Sequence, residues 1–156
     1  MEIVHFVKTG NITERIEALF VSEKQKLEAL FLNAFIEHVG GTSVPGAILK
    51  GDLDINVRVE SQDFQEATET LKRLYEVNQL DNWTPGFASF KDEPRDLGIQ
   101  LTAIGSKDDY FVAQRDYLRN HPRKVEELNT LKEKFEGRDM NEYREEKRKF
   151  FENLNS

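Results

Sequence analysis

The run Asp52-Leu53-Asp54-Ile55-Asn56-Val57-Arg58-Val59 alternates polar and apolar side chains without interruption, and it constrains the fold more than any other stretch. Successive side chains on a strand face opposite sides, so Leu53, Ile55, Val57 and Val59 make one apolar face while Asp52, Asp54, Asn56 and Arg58 share the other. The stretch therefore reads as a half-buried strand whose polar side carries two acids. Residues two apart on a strand are separated by roughly 6.5 Å, which lets both carboxylates converge on one or two magnesium ions. Such hard cations take oxygen ligands and usually share them with substrate phosphates.

About ten positions upstream lies a glycine turn, Val39-Gly40-Gly41-Thr42-Ser43. Gly40 and Gly41 have no side chain to keep a phosphate from the backbone, while Thr42 and Ser43 can offer hydroxyls as well as N–H groups. Metal ligands and an anion-binding turn would then meet at one edge of a sheet. Lys50, just before the strand, is a candidate to reach a phosphate. Farther on, Arg115 and Arg119 stand four apart, on one helix face, as a candidate anion clamp.

Two stretches resemble a known family. His38-Val39-Gly40-Gly41-Thr42-Ser43-Val44-Pro45-Gly46-Ala47, followed by Lys50 and Asp54-Ile55, resembles the signature of the GrpB (glutamate-rich protein) family; Arg115-Asp116-Tyr117-Leu118-Arg119-Asn120-His121-Pro122 resembles its second, helical signature. The resemblance implies a nucleotidyltransferase-superfamily fold in which the glycine turn and the paired acids hold nucleotide and metal. Some members of that family are fused to dephospho-CoA kinase, a hint of nucleotide-like ligands. Many members have Gly-Ser where this chain has Gly40-Gly41, and many have an apolar residue at the position of Asp52. The late strand, which typically carries His-x-His in the family, reads Gly98-Ile99-Gln100-Leu101-Thr102-Ala103 here. An active nucleotidyltransferase usually places a third acid on such a strand; Gln100 and Thr102 cannot act as general bases near neutral pH. Asp96 or Glu93 would substitute only if the adjoining loop folded back.

A chain of 156 residues with 38% apolar side chains and eleven Phe can fill the core of one domain. The expected organisation is a single domain over residues 1–156, a sheet core to about residue 106 followed by a helical C-terminal part. A net charge of −7 argues against broad nucleic-acid binding, because phosphate backbones are held by basic surfaces. A small acceptor fits better than a duplex. There is no cysteine, hence no disulfide or thiolate metal site, and no signal-like or membrane-spanning apolar run, so the expected location is cytoplasmic.

Helical periodicity runs from Thr13 to about Leu32, with a break expected near Ser22. Phe35 to Val39 reads as the first core strand and Asp52 to Val59 as the second; a helix then begins at Ser61 or Asp63, with Phe64, Ala67, Leu71, Leu74 and Tyr75 inward. Phe87 to Lys91 and Leu97 to Ile104 form a hairpin around Asp92-Glu93-Pro94-Arg95. Beyond residue 106 come charged helices, one stopping near His121, one opened by Pro122 and ended at Gly137, and one capped by Asp139 with Glu142. This order is neither a regular strand-helix alternation nor a bundle. The expected fold is α+β, with a mixed sheet and flanking helices.

The resulting expectation is a nucleotidyltransferase-like protein binding a nucleoside triphosphate at Gly40, Gly41, Thr42, Ser43 and Lys50. Mg²⁺ would sit on Asp52 and Asp54, which also form the catalytic pair for transfer to a small acceptor. Two alternatives stand beside it: a catalytically inactive module binding a nucleotide or coenzyme A-related ligand, and an interaction protein using its charged helices. Each motif also has a plainer reading. The acids can be a solvated strand face, the glycines tight turns, His38 a hydrogen-bonded structural residue, and Arg115 and Arg119 partners of Asp116 or nearby glutamates.

Overall fold

The computed structural model describes residues 2–6, 12–48 and 51–154. Helix α1 (Ile12–Leu30) leads into β1 (Phe35–Val39), a 3-10 turn at Gly41–Ser43, and β2 (Leu53–Val59). Then follow α2 (Phe64–Leu74), the short β3 (Glu76–Val77), β4 (Phe87–Asp92), β5 (Leu97–Ala103), and helices α3 (Phe111–Arg119), α4 (Pro122–Phe135) and α5 (Met140–Leu154). The strands form one mixed sheet in the order β1-β2-β5-β4-β3. Among the described strands only β2 and β5 run parallel, with Asp54 opposite Gly98 and Asn56 opposite Gln100. The expected α+β architecture is therefore the observed one.

Alternation along β2 does what the sequence implies. Leu53, Ile55 and Val57 are fully buried, with Val59 nearly so, and they pack with Ile99, Leu101 and Phe90 under α1 and α2. Helix α1 runs unbroken through Ser22, contrary to the expected interruption. Its inward stripe includes a buried acid, Glu23, which accepts hydrogen bonds from the Tyr75 hydroxyl at 2.8 Å and from the Arg95 guanidinium. Leu74, expected inside, is exposed where α2 ends, and β3 was too short to leave a periodic signal.

The helical part packs on the other side of the glycine turn. Val44 and Ala47 join Leu118, Val125 and Leu128 in a second apolar cluster, while Val4, Phe135, Met140 and Tyr143 make a third. Among the described residues no helix is long and apolar enough to cross a membrane.

Candidate functional site

The centre of the site is Asp54, on the polar face of β2, with its carboxylate between two glycines. A Cβ built on Gly40 would lie 2.4 Å from Asp54 Oδ2, and one on Gly98 would lie 2.9 Å from Asp54 Oδ1. Both positions have to lack a side chain for the carboxylate to stand where it does. Gly40 has a second reason to be glycine, since its φ of 77° lies in the left-handed region that strains other residues. The predicted turn and the predicted acid are thus brought together at the end of β1. Asp52 lies just before β2 rather than in it, close enough to α5 for its negative charge to add to the burial that raises the Tyr143 phenol's pKa.

The turn is held from within. Ser43 is buried and its hydroxyl donates to Gly40 O at 2.5 Å, while Thr42 Oγ1 lies 2.8 Å from His38 Nε2. The two hydroxyls expected to face a phosphate are therefore engaged in building the turn, leaving the glycine backbone as its exposed chemistry. His38 stacks on Phe20 at a centroid distance of 5.2 Å. Burial and then the nearby Arg119 and Arg115 charges lower its pKa to about 4, so it stays neutral near neutral pH, as a structural histidine would.

Arg115 and Arg119 do converge on this region, but by holding protein rather than standing ready as a clamp. Arg115 donates to Glu37 Oε2 at 2.7 Å, to His38 O at 3.0 Å and to Asp116 Oδ1 at 3.0 Å. Arg119 Nε donates to Ser43 O at 2.9 Å. Lys50 lies outside the described residues.

A different cation, which periodicity had hidden on an apolar helix stripe, reaches the turn. Lys132 of α4 is 4% exposed, donates to Ile48 O at 2.6 Å, and its Nζ would lie 3.4 Å from a Cβ on Gly41. One turn earlier on α4, Asn129 donates to Gly46 O and accepts from Ile48 N, both at 2.8 Å. Gly46 and Ile48, which follow the glycine turn, are thereby pinned by α4.

Along the polar face beyond Asp54, Gln100 Nε2 donates to Asp54 Oδ1 at 3.4 Å. The fully buried Asn56 donates from Nδ2 to Gln100 O at 2.9 Å and to Thr102 Oγ1 at 3.1 Å. Among the described residues no three His, Cys, Asp or Glu side chains cluster where they could hold a metal ion, so neither Asp96 nor Glu93 completes a carboxylate triad. Glu93 is instead paired with Lys91 at 2.6 Å. Cavities of about 390 Å³ beside Tyr75 and Lys91 and about 180 Å³ beside Phe31 and Ala67 lie away from the acids.

Residues 8–156 match the profile of the family described as GrpB protein. The chain belongs to the GrpB family. A UPF0157 protein of Vibrio cholerae serotype O1 is 33% identical over 153 residues, 97% of this chain and 81% of that protein. The crystal structure of the conserved protein GrpB from Enterococcus faecalis superposes with a TM-score of 0.66 at 25% identity, covering 85% of this chain and 81% of that one. This GrpB chain also shares its fold with nucleotidyltransferases. A mutant of the Cid1 poly(U) polymerase bound to MgATP gives a TM-score of 0.53 at 11% identity, over 81% of this chain and 42% of that one. The STING-associated CdnE c-di-GMP synthase of Capnocytophaga granulosa gives 0.52 at 12% identity, over 80% and 52%.

Proposed function

We propose that this GrpB protein binds a nucleoside triphosphate with a divalent cation at the junction of the glycine turn and β2, and transfers a nucleotidyl group slowly, or only to a particular small acceptor. The observation that carries the reading is the seat of Asp54 between Gly40 and Gly98, with the turn that would take phosphates forming one wall of it. A carboxylate adjoining a glycine-lined turn brings an oxygen ligand for a hard cation next to a surface where an anion can approach backbone. One neighbour of this fold was solved bound to MgATP, which supports a nucleotide with a divalent cation as the ligand class.

The donor set suits a magnesium-type cation. Asp52 and Asp54 supply carboxylate oxygens, and the amide oxygens of Asn56 and Gln100, on the same strand face, are buried without hydrogen-bond partners among the described residues. A bound divalent cation would supply charge neutralisation for the phosphates and the leaving group. The protein's own contributions are separable from that. Gly40 and Gly41 present backbone to the phosphates, and Lys132 places an ammonium beside Gly41. Arg115, Arg119 and Asn129 fix the turn and the segment after it, so that little ordering remains to be done on binding. No side chain that can act as a general base near neutral pH joins Asp54 in a three-residue cluster among the described residues, which is why rapid turnover with ordinary acceptors is not expected.

A thermal-shift screen of nucleotides with and without Mg²⁺ or Mn²⁺ tests the binding half. Ligand near 100 times its Kd should stabilise the fold by about 2.7 kcal/mol. A metal-dependent rise with nucleoside triphosphates is the expected result; no rise with any nucleotide–metal pair would overturn the reading. Binding without pyrophosphate release against a mixed acceptor pool would favour the inactive module.

A further inference from the structure

The polar face of β2 and β5 holds two buried acceptors that have no hydrogen-bond partner among the described residues. Asn56 is fully buried, and its amide orientation is fixed because Nδ2 donates to the carbonyl oxygen of Gln100, which a flipped amide would meet with oxygen. That leaves Asn56 Oδ1 without a donor. Gln100 stands opposite Asn56 in the parallel register and turns its N–H toward Asp54 Oδ1, so its own Oε1 is buried and likewise without a donor. Buried acceptors left unpaired are disfavoured, so a pair of them on the strand face that also carries Asp54 marks a place where something electropositive belongs.

We propose that Gln100 and Asn56 are neutral oxygen ligands completing a divalent-cation site on Asp54, with Gln100 acting as its keeper when the cation is absent. The Gln100 N–H faces Asp54 Oδ1, the carboxylate oxygen that a cation would share. Rotation of the terminal amide, a soft and roughly two-fold torsion, exchanges that N–H for Oε1 without moving the backbone. Asparagine and glutamine carbonyls are ordinary ligands of hard cations. The site then carries less negative charge than a carboxylate triad, so it holds its cation weakly and fills chiefly when phosphate oxygens arrive with it. The inference rests on the proposed nucleotide-and-metal reading for the location of the site, but not for its ligands.

The test uses the whole protein and Mn²⁺ or Mg²⁺ alone, then with ATP. Mn²⁺ should selectively broaden the side-chain NH₂ resonances of Gln100 and Asn56, and Mg²⁺ should shift their side-chain carbonyl ¹³C signals. Titration of free Mn²⁺ by electron paramagnetic resonance should show Gln100→Met weakening binding at least fivefold and Gln100→Glu tightening it at least tenfold. Thermal unfolding confirms that each variant is folded; if Gln100→Met does not fold, the resonance shifts and Gln100→Glu decide. Wild-type Mn²⁺ affinity in both Gln100 variants, with no change at either amide, would overturn the ligand assignment while leaving nucleotide binding at Asp54 intact. Gln100-dependent metal binding with no nucleotide binding would uphold the ligands and overturn the function proposed above. No cation binding under any condition would overturn the inference outright.

Discussion

Asp54 and the glycines around it explain why a two-acid pattern could be read from the chain and why its surroundings could not. The alternation from Leu53 to Val59 places Asp54 on the polar face, and the turn at Gly40 was legible as a backbone device. Gly98 left no comparable signal, because a glycine inside a strand has several meanings, among them a close approach that only the folded chain reveals. The two glycines make different predictions. Gly40→Ala meets both the left-handed backbone and the 2.4 Å contact with Asp54 Oδ2, and should cost about 1–3 kcal/mol in urea unfolding. Gly98→Ala meets only the 2.9 Å contact and should cost less, yet should weaken nucleotide binding because it displaces the same carboxylate. Equal stability in wild type and Gly40→Ala, measured by denaturant midpoint, would contradict this account of the turn.

At the scale of elements, the two edges of legibility are β2 and α4. Strand β2 was evident because one face is apolar and the other polar, although Asn56 on the polar face is itself fully buried. Helix α4 was evident as a helix, but the reach of its Lys132 toward the glycine turn was not, since Lys132 sits among Val125, Leu128 and Phe135 where apolar spacing predicts core. A lysine so placed has to bring its ammonium to an acceptor, and it reaches Ile48 O. The same helix supplies Asn129, whose two hydrogen bonds hold Gly46 and Ile48. Asn129→Ala should destabilise the protein by about 1–2 kcal/mol and should speed hydrogen exchange at the Ile48 amide more than at amides within β2. Unaltered exchange at Ile48 would show that the segment is held by something else. Arg115 and Arg119 belong to the same lesson: their spacing correctly put them on one helix face, while their partners, Glu37, His38 O and Ser43 O, depend on how α3 docks against β1.

For the molecule as a whole, the order of elements and the mixed character of the sheet followed from periodicity, and the family resemblance is borne out by the match over residues 8–156. What did not follow was the network that joins the halves, because buried polar contacts between distant segments carry no local pattern. His38 offers a global readout of that network. Its pKa falls from 6.5 to about 4 on folding, so between those values the unfolded chain binds a proton that the folded one does not. Stability contributed by neutral His38 is complete above pH 6.5 and is lost as pH falls toward 4. Urea midpoints measured across that range should therefore decline more steeply for wild type than for His38→Gln; parallel slopes would mean that His38 is not the group responsible. A ligand site organised by the Asp54 charge is tested most directly by calorimetry with Mg²⁺ and ATP on wild type and Asp54→Asn, whose folding is checked by its unfolding midpoint. Saturable binding in wild type that is lost in a folded Asp54→Asn is the predicted result, and superimposable titration curves from the two proteins would contradict it.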